Sequence, residues 1–217
     1  LHLSIRRQRQ MCIRDSSHLD MGPAKEGLMN DVPEEIETGR LSLHPIRRSD
    51  LDALVALWSD PSVMQFLPGN RPRTVEAAQA ELAFMLDHWK AHGIGAWAIF
   101  LRGQDEMIGY CYLQYLHPEP GGVTPESLPN PNMLELAYAL ARKAWGRGLA
   151  TEAAEAVVNY GFKEKGLEQV VAGIHCDNEA SRRVLEKVGF REDPTLRFYG
   201  DCPHFRLAAA EFREAHP

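Results

Sequence analysis

Residues 134–154 read LELAYALARKAWGRGLATEAA, and they decide the fold because they pass from a strand through a glycine loop into a helix. The apolar run at 133–141 predicts a strand, and the Ala-rich run at 149–166 predicts a helix. Gly146 and Gly148 between them permit backbone conformations that are barred to other residues. Because first-turn N–H groups lack partners within a helix and the dipole favours negative charge there, the loop is a candidate anion site. The alternative is a tight strand-to-helix turn that needs glycine for its geometry alone.

Glu135 is the only charged residue in the predicted strand at 133–141. Strand alternation places it on one face with Ala137 and Ala139, whose small side chains leave room for a ligand. Burial there would raise the pKa of the carboxyl group, which suits a general base. The alternative is a glutamate that lies at the sheet edge or pairs with a cation.

A second segment, residues 166–190, reads GLEQVVAGIHCDNEASRRVLEKVGF and again passes from strand to helix. The run at 168–176 predicts a strand, and Asn178 is a suitable N-cap for a helix over 178–188. Gly189 follows at the place where a left-handed glycine commonly ends a helix. Asn178 therefore has a structural role as a cap, whatever else it contacts.

Alternating and helical patterns extend the fold on both sides of these segments. The predicted elements are a strand at 40–46, a helix capped by Ser49 or Asp50, a short helix after 59, a helix from Thr74 to His92, strands at 95–101 and 107–116, and closing strands at 197–200 and 204–212. Residues 117–132 hold five prolines and two glycines and are predicted to form a loop. This order of strands and helices predicts an α+β, or mixed α/β, fold.

Composition excludes several classes of protein. The chain has 217 residues, of which 44% are apolar and 25% charged, as in ordinary globular domains. No apolar run is long enough to span a bilayer, so we expect no membrane partner. The net charge is −6, and because residues 1–20 contribute +2, the remainder carries −8. An acidic body argues against nucleic acid as a partner, since phosphate binding needs clustered Lys and Arg.

Cysteine and histidine spacing gives no sign of a metal site. The sequence contains neither a CxxC pair nor an HExxH motif. His175 and Cys176, adjacent on a predicted strand, would point to opposite faces as packing or surface residues. Sparse cysteines without a disulfide pattern predict a reducing compartment, which we take to be the cytoplasm.

Residues 1–35 are expected to lie outside the folded domain. Residues 1–20 show no helical or strand period and no apolar signal-peptide core, and MCIRDS resembles sequencing-adapter read-through. Met21 is a plausible start. We therefore predict a disordered or extraneous segment over 1–35 and a single domain over 36–213.

Together, the segments at 134–154 and 166–190 resemble the GNAT acetyltransferase superfamily, in particular its RimJ/RimL-like branch. The stretch ETGRLSLHPIRRSDLDALVALWSDPSVMQFL near the start and the MIGYCYL strand agree, so that the resemblance covers 36–213. It implies a central, mostly antiparallel sheet with flanking helices. It also implies that the fourth and fifth strands splay into a V that holds acetyl-CoA, and that no metal is needed.

The resemblance also assigns donor-binding residues. The backbone amides expected to hold the pyrophosphate are those of Arg147, Gly148, Leu149, Ala150 and Thr151. Backbone groups expected to pair with the pantetheine arm are those near Tyr138, Ala139 and Leu140, and Asn178 would contact the same arm. Trp145 stands where most of the superfamily has Gln or Arg, which removes one side-chain contact but no backbone donor.

Catalytic roles fall on Glu135 and Ser181. The resemblance implies direct acetyl transfer to a primary amine, with Glu135 taking the amine proton directly or through a water molecule. Leu185 occupies the position where many members carry a tyrosine general acid, so Ser181, one turn earlier, becomes the candidate acid or thiolate stabiliser. An α-amine has a pKa of about 7.7–8.0 against about 10.4 for Lys. A site with one evident base therefore favours a protein N-terminal α-amine or a small-molecule amine.

Other readings of the sequence stay open. An acyl-CoA-binding module without turnover would explain Leu185, and a dinucleotide-binding Rossmann domain would explain a glycine loop after a strand, although GxGxxT replaces GxGxxG. The loop at 117–132 either shapes acceptor choice or is a tolerated surface insertion. We expect a monomer or a homodimer.

Overall fold

The computed structural model describes residues 35–116, 133–196 and 202–215. The predicted lead-in up to residue 34, the loop at 117–132 and the closing strand at 197–200 lie outside these ranges. Eight strands are present: β1 Ile36–Glu37, β2 Leu41–Pro45, β3 Ala96–Leu101, β4 Met107–Tyr115, β5 Leu134–Leu140, β6 Gln169–Gly173, β7 Arg191–Glu192 and β8 His204–Ala208. Six α-helices accompany them: α1 Leu51–Ser59, α2 Pro61–Met64, α3 Val75–His92, α4 Leu149–Lys163, α5 Glu179–Val188 and α6 Ala209–Ala215.

All eight strands form one sheet in the order β1-β2-β3-β4-β5-β6-β8-β7. Every neighbouring pair is antiparallel except β5 and β6, which run parallel. The predicted mixed α/β class with a mostly antiparallel sheet is therefore confirmed. A Rossmann domain needs repeated parallel βαβ units, so this topology contradicts the dinucleotide-binding alternative.

The splayed strand pair is β5 and β6. Only Glu135 and Val171 are register partners between them, whereas β4 and β5 are paired through seven residues. Beyond that single pair the two strands diverge towards their carboxyl ends. They are the fifth and sixth strands in chain order, rather than the predicted fourth and fifth, because the short strand β1 was not expected.

Helices cover both faces of the sheet. In β4, Tyr110 and Leu113 are an odd number of residues apart and therefore face opposite sides. Trp58 of α1 donates from Nε1 to the Tyr110 hydroxyl at 3.3 Å. Gly161 of α4 packs against Leu113, so closely that a Cβ on this glycine would lie 2.7 Å from Leu113 Cδ1. The apolar core thus continues on both sides of the central strands.

Strands β4 and β5 also approach each other closely at Gly109. A Cβ atom added there would lie 2.2 Å from the carbonyl oxygen of Ala139 and 2.8 Å from Cα of Leu140. Both contacts are with backbone atoms, so a side chain would have to push the two strands apart. Only glycine therefore fits at position 109, because any side chain there would collide with β5.

Two predicted strands end earlier than expected. Strand β6 stops at Gly173, so His175 and Cys176 follow the strand instead of lying on it, and their predicted placement on opposite strand faces is wrong. The run at 204–212 is a strand only to Ala208 and then becomes helix α6. Its AAEFREA sequence has high helix propensity, and Phe212 of this helix is buried. Among the described residues, no helix combines the length and apolar character that a bilayer crossing requires.

Candidate active site

A cleft of about 2100 Å³ opens where β5 and β6 diverge. Its lining comes from β4, β5, the end of β6, the starts of α4 and α5, and the segment from α2 into α3. The predicted site residues that line it are Glu135, Tyr138, Ala139, Leu140, Gly148, Leu149, Ala150, Thr151, Asn178 and Ser181. Arg147 is exposed and contributes to the neighbouring network through its carbonyl group.

The register of β4 and β5 determines which backbone groups of β5 face the cleft. Ala141 N donates to Ile108 O at 2.8 Å and Leu116 N donates to Met133 O at 3.1 Å, at the two ends of the ladder. Each of these bonds belongs to a hydrogen-bonded pair in which the β5 residue is odd-numbered. Because hydrogen-bonded and non-hydrogen-bonded pairs alternate along an antiparallel ladder, the even-numbered residues of β5 form non-hydrogen-bonded pairs with β4. The N–H and C=O groups of Leu136, Tyr138 and Leu140 therefore point away from β4, towards the diverging edge.

Ala139 differs from its two neighbours in this respect. It is paired with Tyr110 in the β4–β5 ladder, and its polar backbone groups point towards β4. Of the three residues predicted to offer backbone groups to a ligand, Tyr138 and Leu140 carry theirs at the open edge. Ala139 contributes its methyl group to the cleft lining.

The glycine loop leads directly into α4. Gly146 and Gly148 have φ values of +71° and +75°, in the left-handed region that glycine adopts without a Cβ penalty. Gly148 is the N-cap of α4 and has no side chain with which to accept a first-turn N–H. The first intrahelical bond at this end runs from Glu152 N to Gly148 O at 3.2 Å. The N–H groups before Glu152 thus face the cleft as a donor set for an anion.

An ion-pair network that the sequence did not predict contacts this loop outside the cleft. Arg40 pairs with Glu152 of α4 at 2.6 Å and donates to the carbonyl oxygen of Arg147 at 2.8 Å. Thr38 Oγ1 also donates to Glu152, at 2.6 Å. The partners are more than 100 residues apart in sequence, so no local pattern could have revealed the contact. The network ties the start of β2 to the turn that presents the α4 amides.

The protonation of Glu152 makes this network dependent on pH. Burial raises the pKa of Glu152, but hydrogen bonds from Thr38 and Arg40 outweigh it, so that the pKa lies below its usual value. A carboxyl group with a lowered pKa in the folded state stabilises the fold above its ordinary pKa of about 4.5. That contribution is lost as the pH falls through the lower, folded-state value.

We therefore expect Glu152→Gln to lower the free energy of unfolding at pH 7 and to lose this effect in acid. Urea denaturation of both proteins from pH 7 down to pH 3 measures the difference. Glu164→Gln, at the exposed far end of α4, controls for loss of a charge outside the network. A difference between wild type and Glu152→Gln that stays constant over the whole range would contradict the assignment.

Trp145 has a role that the sequence did not indicate. Its Nε1 donates to the carbonyl oxygen of Leu140 at 2.6 Å, and the Arg142 guanidinium lies over its ring at 4.6 Å. The indole thus joins the turn before α4 to the end of β5. Sequence reasoning treated this residue only as a missing side-chain contact.

Asn178 and Ser181 lie on the opposite wall of the cleft. The predicted cap is confirmed, since Asn178 Oδ1 accepts from Ser181 N at 3.1 Å. Asn178 also lines the cleft, and because this bond engages its amide oxygen, Nδ2 is the side-chain group left to donate. The Tyr138 hydroxyl donates to the Ser181 carbonyl oxygen at 3.4 Å, across the gap between β5 and α5. Burial raises the pKa of Tyr138, so this hydroxyl stays protonated.

Gly189 ends α5 as predicted. Gly189 has a φ of +105°, and Phe190 N donates to Leu185 O at 2.9 Å in the expected helix stop. Leu185 is 1% exposed and belongs to the apolar core while also lining the cleft. This helix position therefore offers no proton donor.

Glu135 lies on the other face of β5, towards α1. It is 4% exposed and pairs in register with Gln114, which is 8% exposed. The next cross-strand pairs along this face are Tyr112 with Ala137 and Tyr110 with Ala139. Glu135 is thus a buried carboxyl group on the cleft floor, on the face opposite α4 and α5.

The segment between α2 and α3 lines the cleft on the Glu135 face of the sheet. Arg73 pairs with Glu81 at 2.9 Å and lies over the Trp58 ring at 4.8 Å. Burial raises the pKa of Tyr110 to about 12, so its hydroxyl stays neutral beside Trp58. Within the part of the chain that the structure describes, no group of three His, Cys, Asp or Glu side chains could hold a metal ion.

Comparison with known proteins identifies the family of most of the chain. The family described as acetyltransferase (GNAT) domain matches residues 40–191. The FsC-acetyl coenzyme A-N(2)-transacetylase of Aspergillus fumigatus is 31% identical over 179 residues, which make up 82% of this chain and 74% of that protein.

Solved structures agree in fold. An acetyltransferase of Agrobacterium tumefaciens has a TM-score of 0.68 at 25% identity and covers 85% of this chain and 99% of its own. RimL, a ribosomal L7/L12 alpha-N-protein acetyltransferase solved in complex with coenzyme A, has a TM-score of 0.64 at 17% identity, covering 81% and 98%. At that identity the similarity to RimL concerns the fold alone.

Proposed function

Because the chain belongs to the GNAT acetyltransferase family and is therefore an acyltransferase, we propose that it transfers an acetyl group from acetyl-CoA directly to a primary amine. The acceptor we propose is a protein N-terminal α-amine or a small-molecule amine, and the branch is the RimJ/RimL-like one. The observation that carries the proposal is a buried carboxyl group, Glu135, on one face of the strand whose free edge lines the cleft.

Donor binding is supported by the chemistry of the groups at the cleft. Acetyl-CoA, the family's acyl donor, carries a pyrophosphate, and the first-turn amides of α4 after Gly148 form a suitable anion site. The N–H and C=O groups of Tyr138 and the N–H group of Leu140, whose carbonyl oxygen is taken by Trp145, suit the amides of the pantetheine arm, as does Asn178 Nδ2. The residues present therefore fit this substrate without a metal.

The transfer step needs a base, a polarising donor and an acid. In our proposal Glu135, directly or through a water molecule, takes the proton of the amine as its nitrogen bonds to the acetyl carbon. A backbone N–H of β5 stabilises the negative charge that develops on the carbonyl oxygen. As the carbon–sulfur bond breaks, the Ser181 hydroxyl donates to the departing thiolate.

Acceptor basicity favours an α-amine or a similarly weakly basic amine. An α-amino group has a pKa of about 7.7–8.0, whereas that of a Lys side chain is about 10.4. At neutral pH much more of the α-amine is already in the nucleophilic, neutral form. A site with one buried carboxyl group as base can therefore use it more readily.

A turnover screen with thiol detection tests the function. Acetyl-CoA is incubated with the protein and with peptides that have free N-termini, polyamines, aminoglycosides or amino acids, and free CoA thiol is measured. We expect release that depends on one of these amine classes, with the acetylated product identified by mass spectrometry. No release with any class would refute the proposal.

A second candidate is an acyl-CoA-binding module without turnover, and the buried Leu185 at the helix position of the usual acid favours it. Tight CoA binding with no amine-dependent thiol release would support this candidate. A cytoplasmic location and a monomeric or homodimeric state stay predictions.

Trp145→Phe tests how the turn supports donor binding. The variant keeps an aromatic ring under Arg142 but removes the hydrogen bond to Leu140 O. We expect the Kd for CoA, measured by calorimetry, to rise about 3–10-fold, which corresponds to loss of one hydrogen bond that orients the loop. Trp89→Phe removes a comparable bond to Ala96 O outside the cleft and serves as the control. Equal Kd values for wild type and Trp145→Phe would show that the indole does not position the turn.

A further inference from the structure

We propose that Gln114 Oε1 holds the acceptor amine by accepting a hydrogen bond from one of its N–H groups. Gln114 thereby selects primary amines over their N-methyl derivatives. This inference rests on the proposed N-acetyltransferase activity. It adds to that activity a residue of β4 that no sequence motif singles out.

Gln114 and Glu135 are direct neighbours on one face of the sheet. They are register partners in β4 and β5, and the ladder makes the pair a hydrogen-bonded one, with Cα atoms about 5.5 Å apart. Directly opposite side chains of such a pair stand side by side. Both residues line the cleft, and both are more than nine-tenths buried.

The Gln114 side chain lacks a hydrogen-bond donor for its oxygen. Oε1 is shielded from solvent and, within the described parts of the chain, accepts no hydrogen bond. A buried carbonyl oxygen without a donor is unfavourable, and such groups in folded proteins generally have a reason. The last torsion of a glutamine side chain is soft, so the amide can turn its oxygen to a ligand in the cleft at small cost.

A primary amine supplies the missing donor. As its lone pair attacks the acetyl carbon, a neutral primary amine has two N–H groups. One N–H proton passes to Glu135, and the other can donate to Gln114 Oε1. An N-methylated amine has a single N–H, which Glu135 must take, so that Oε1 stays without a donor. A site built around a hydrogen bond discriminates strongly against an analogue that lacks it.

The neighbouring cross-strand pair is mostly apolar where it adjoins Glu135. Ala137 follows Glu135 on the same face and offers only a methyl group, and its partner Tyr112 presents an aromatic ring stacked near Tyr110, with centroids 6.2 Å apart. Gln114 and Glu135 are thus the directly paired amide and carboxyl groups of this face.

The test compares matched amines with wild type and Gln114→Met. The probes are a lysine-free hexapeptide with N-terminal alanine and its N-methylalanine counterpart, and putrescine with N,N′-dimethylputrescine, with turnover measured as thiol release. We expect Gln114→Met to lower kcat/KM for the primary amine about 10-fold and to bring the primary-to-secondary ratio close to one. Met has nearly the volume of Gln, so the space available to an N-methyl group stays the same.

Two control variants and two further measurements distinguish the possible outcomes. Gln114→Glu, which retains an acceptor oxygen, should preserve the ratio, and Gln79→Met on the exposed side of α3 should change nothing. CoA affinity and melting temperature should be those of wild type in Gln114→Met, which shows that the fold is intact. An active wild type with the same ratio in Gln114→Met overturns this inference alone. Where wild type acetylates another amine of the turnover screen instead, that amine and its N-methyl counterpart replace the four probes. A wild type inactive towards every amine class of the screen overturns both this inference and the proposed function.

Discussion

Replacing Glu135 with Gln lowers kcat for amine acetylation about 10²–10⁴-fold, the usual contribution of a general base, and leaves the Kd for CoA unchanged. Gln has the shape of Glu but cannot accept the amine proton. Glu135 lies on the face of β5 opposite Tyr138 and Leu140, whose neighbours α4 and α5 supply the proposed donor contacts. Loss of the carboxylate should therefore affect the chemical step and not donor binding.

The measurement combines steady-state thiol release with calorimetric CoA titration of the same protein samples. Glu168→Gln, which removes an exposed carboxylate just before β6, is the matched control and should behave as wild type. A Glu135→Gln variant with wild-type kcat would remove Glu135 from the mechanism. Raising the pH should partly restore the rate of Glu135→Gln, because more of the amine is then already neutral.

The second large effect is on stability, and it concerns Gly109. Gly109→Ala would place a Cβ 2.2 Å from the Ala139 carbonyl oxygen, where only movement of a whole strand can relieve the contact. Overpacking of this kind costs about 3 kcal/mol, which lowers the melting temperature by about 6–12 °C in a domain of this size. Because β5 carries both Glu135 and the cleft edge, we also expect activity to fall.

Thermal unfolding followed by circular dichroism measures this effect. Gly39→Ala is the control, since a Cβ there meets only Glu152 Oε1 at an ordinary 3.8 Å. Equal melting temperatures for wild type and Gly109→Ala would mean that β4 and β5 can move apart without loss of stability. That result would contradict the requirement for glycine at position 109.

Local sequence signals predicted most of the regular structure correctly. Thr74 caps α3 by accepting from Ala77 N at 3.3 Å, Gly93 ends that helix in the left-handed region, and Asn178 and Gly189 bound α5. Each of these signals acts within four residues, so it can be read without knowledge of the tertiary structure. The prediction of a closing strand over 204–212 is wrong beyond Ala208, because the residues that follow adopt a helix, as their propensity favours, once the chain leaves the sheet.

Long-range contacts could not be predicted in the same way. The contact of Arg40 with Glu152 joins residues 112 positions apart, and the pairing of Gln114 with Glu135 depends on the register of two strands. A shift of one residue would move Gln114 to the other face of the sheet. Sequence reasoning placed Glu135 on a face with small residues but could not name its neighbour across the strands.

The alternating direction of the peptide groups in β5 has a consequence for divergence among relatives. The edge towards β6 consists of main-chain groups, which every residue other than proline provides, so substitutions at 136, 138 and 140 need not change its chemistry. Side chains at 114, 135 and 137 form the opposite floor, where each substitution alters what an incoming molecule meets. On the proposed assignment of donor and acceptor sites, acceptor preference can therefore change, or be redesigned, while use of the same acyl donor is retained.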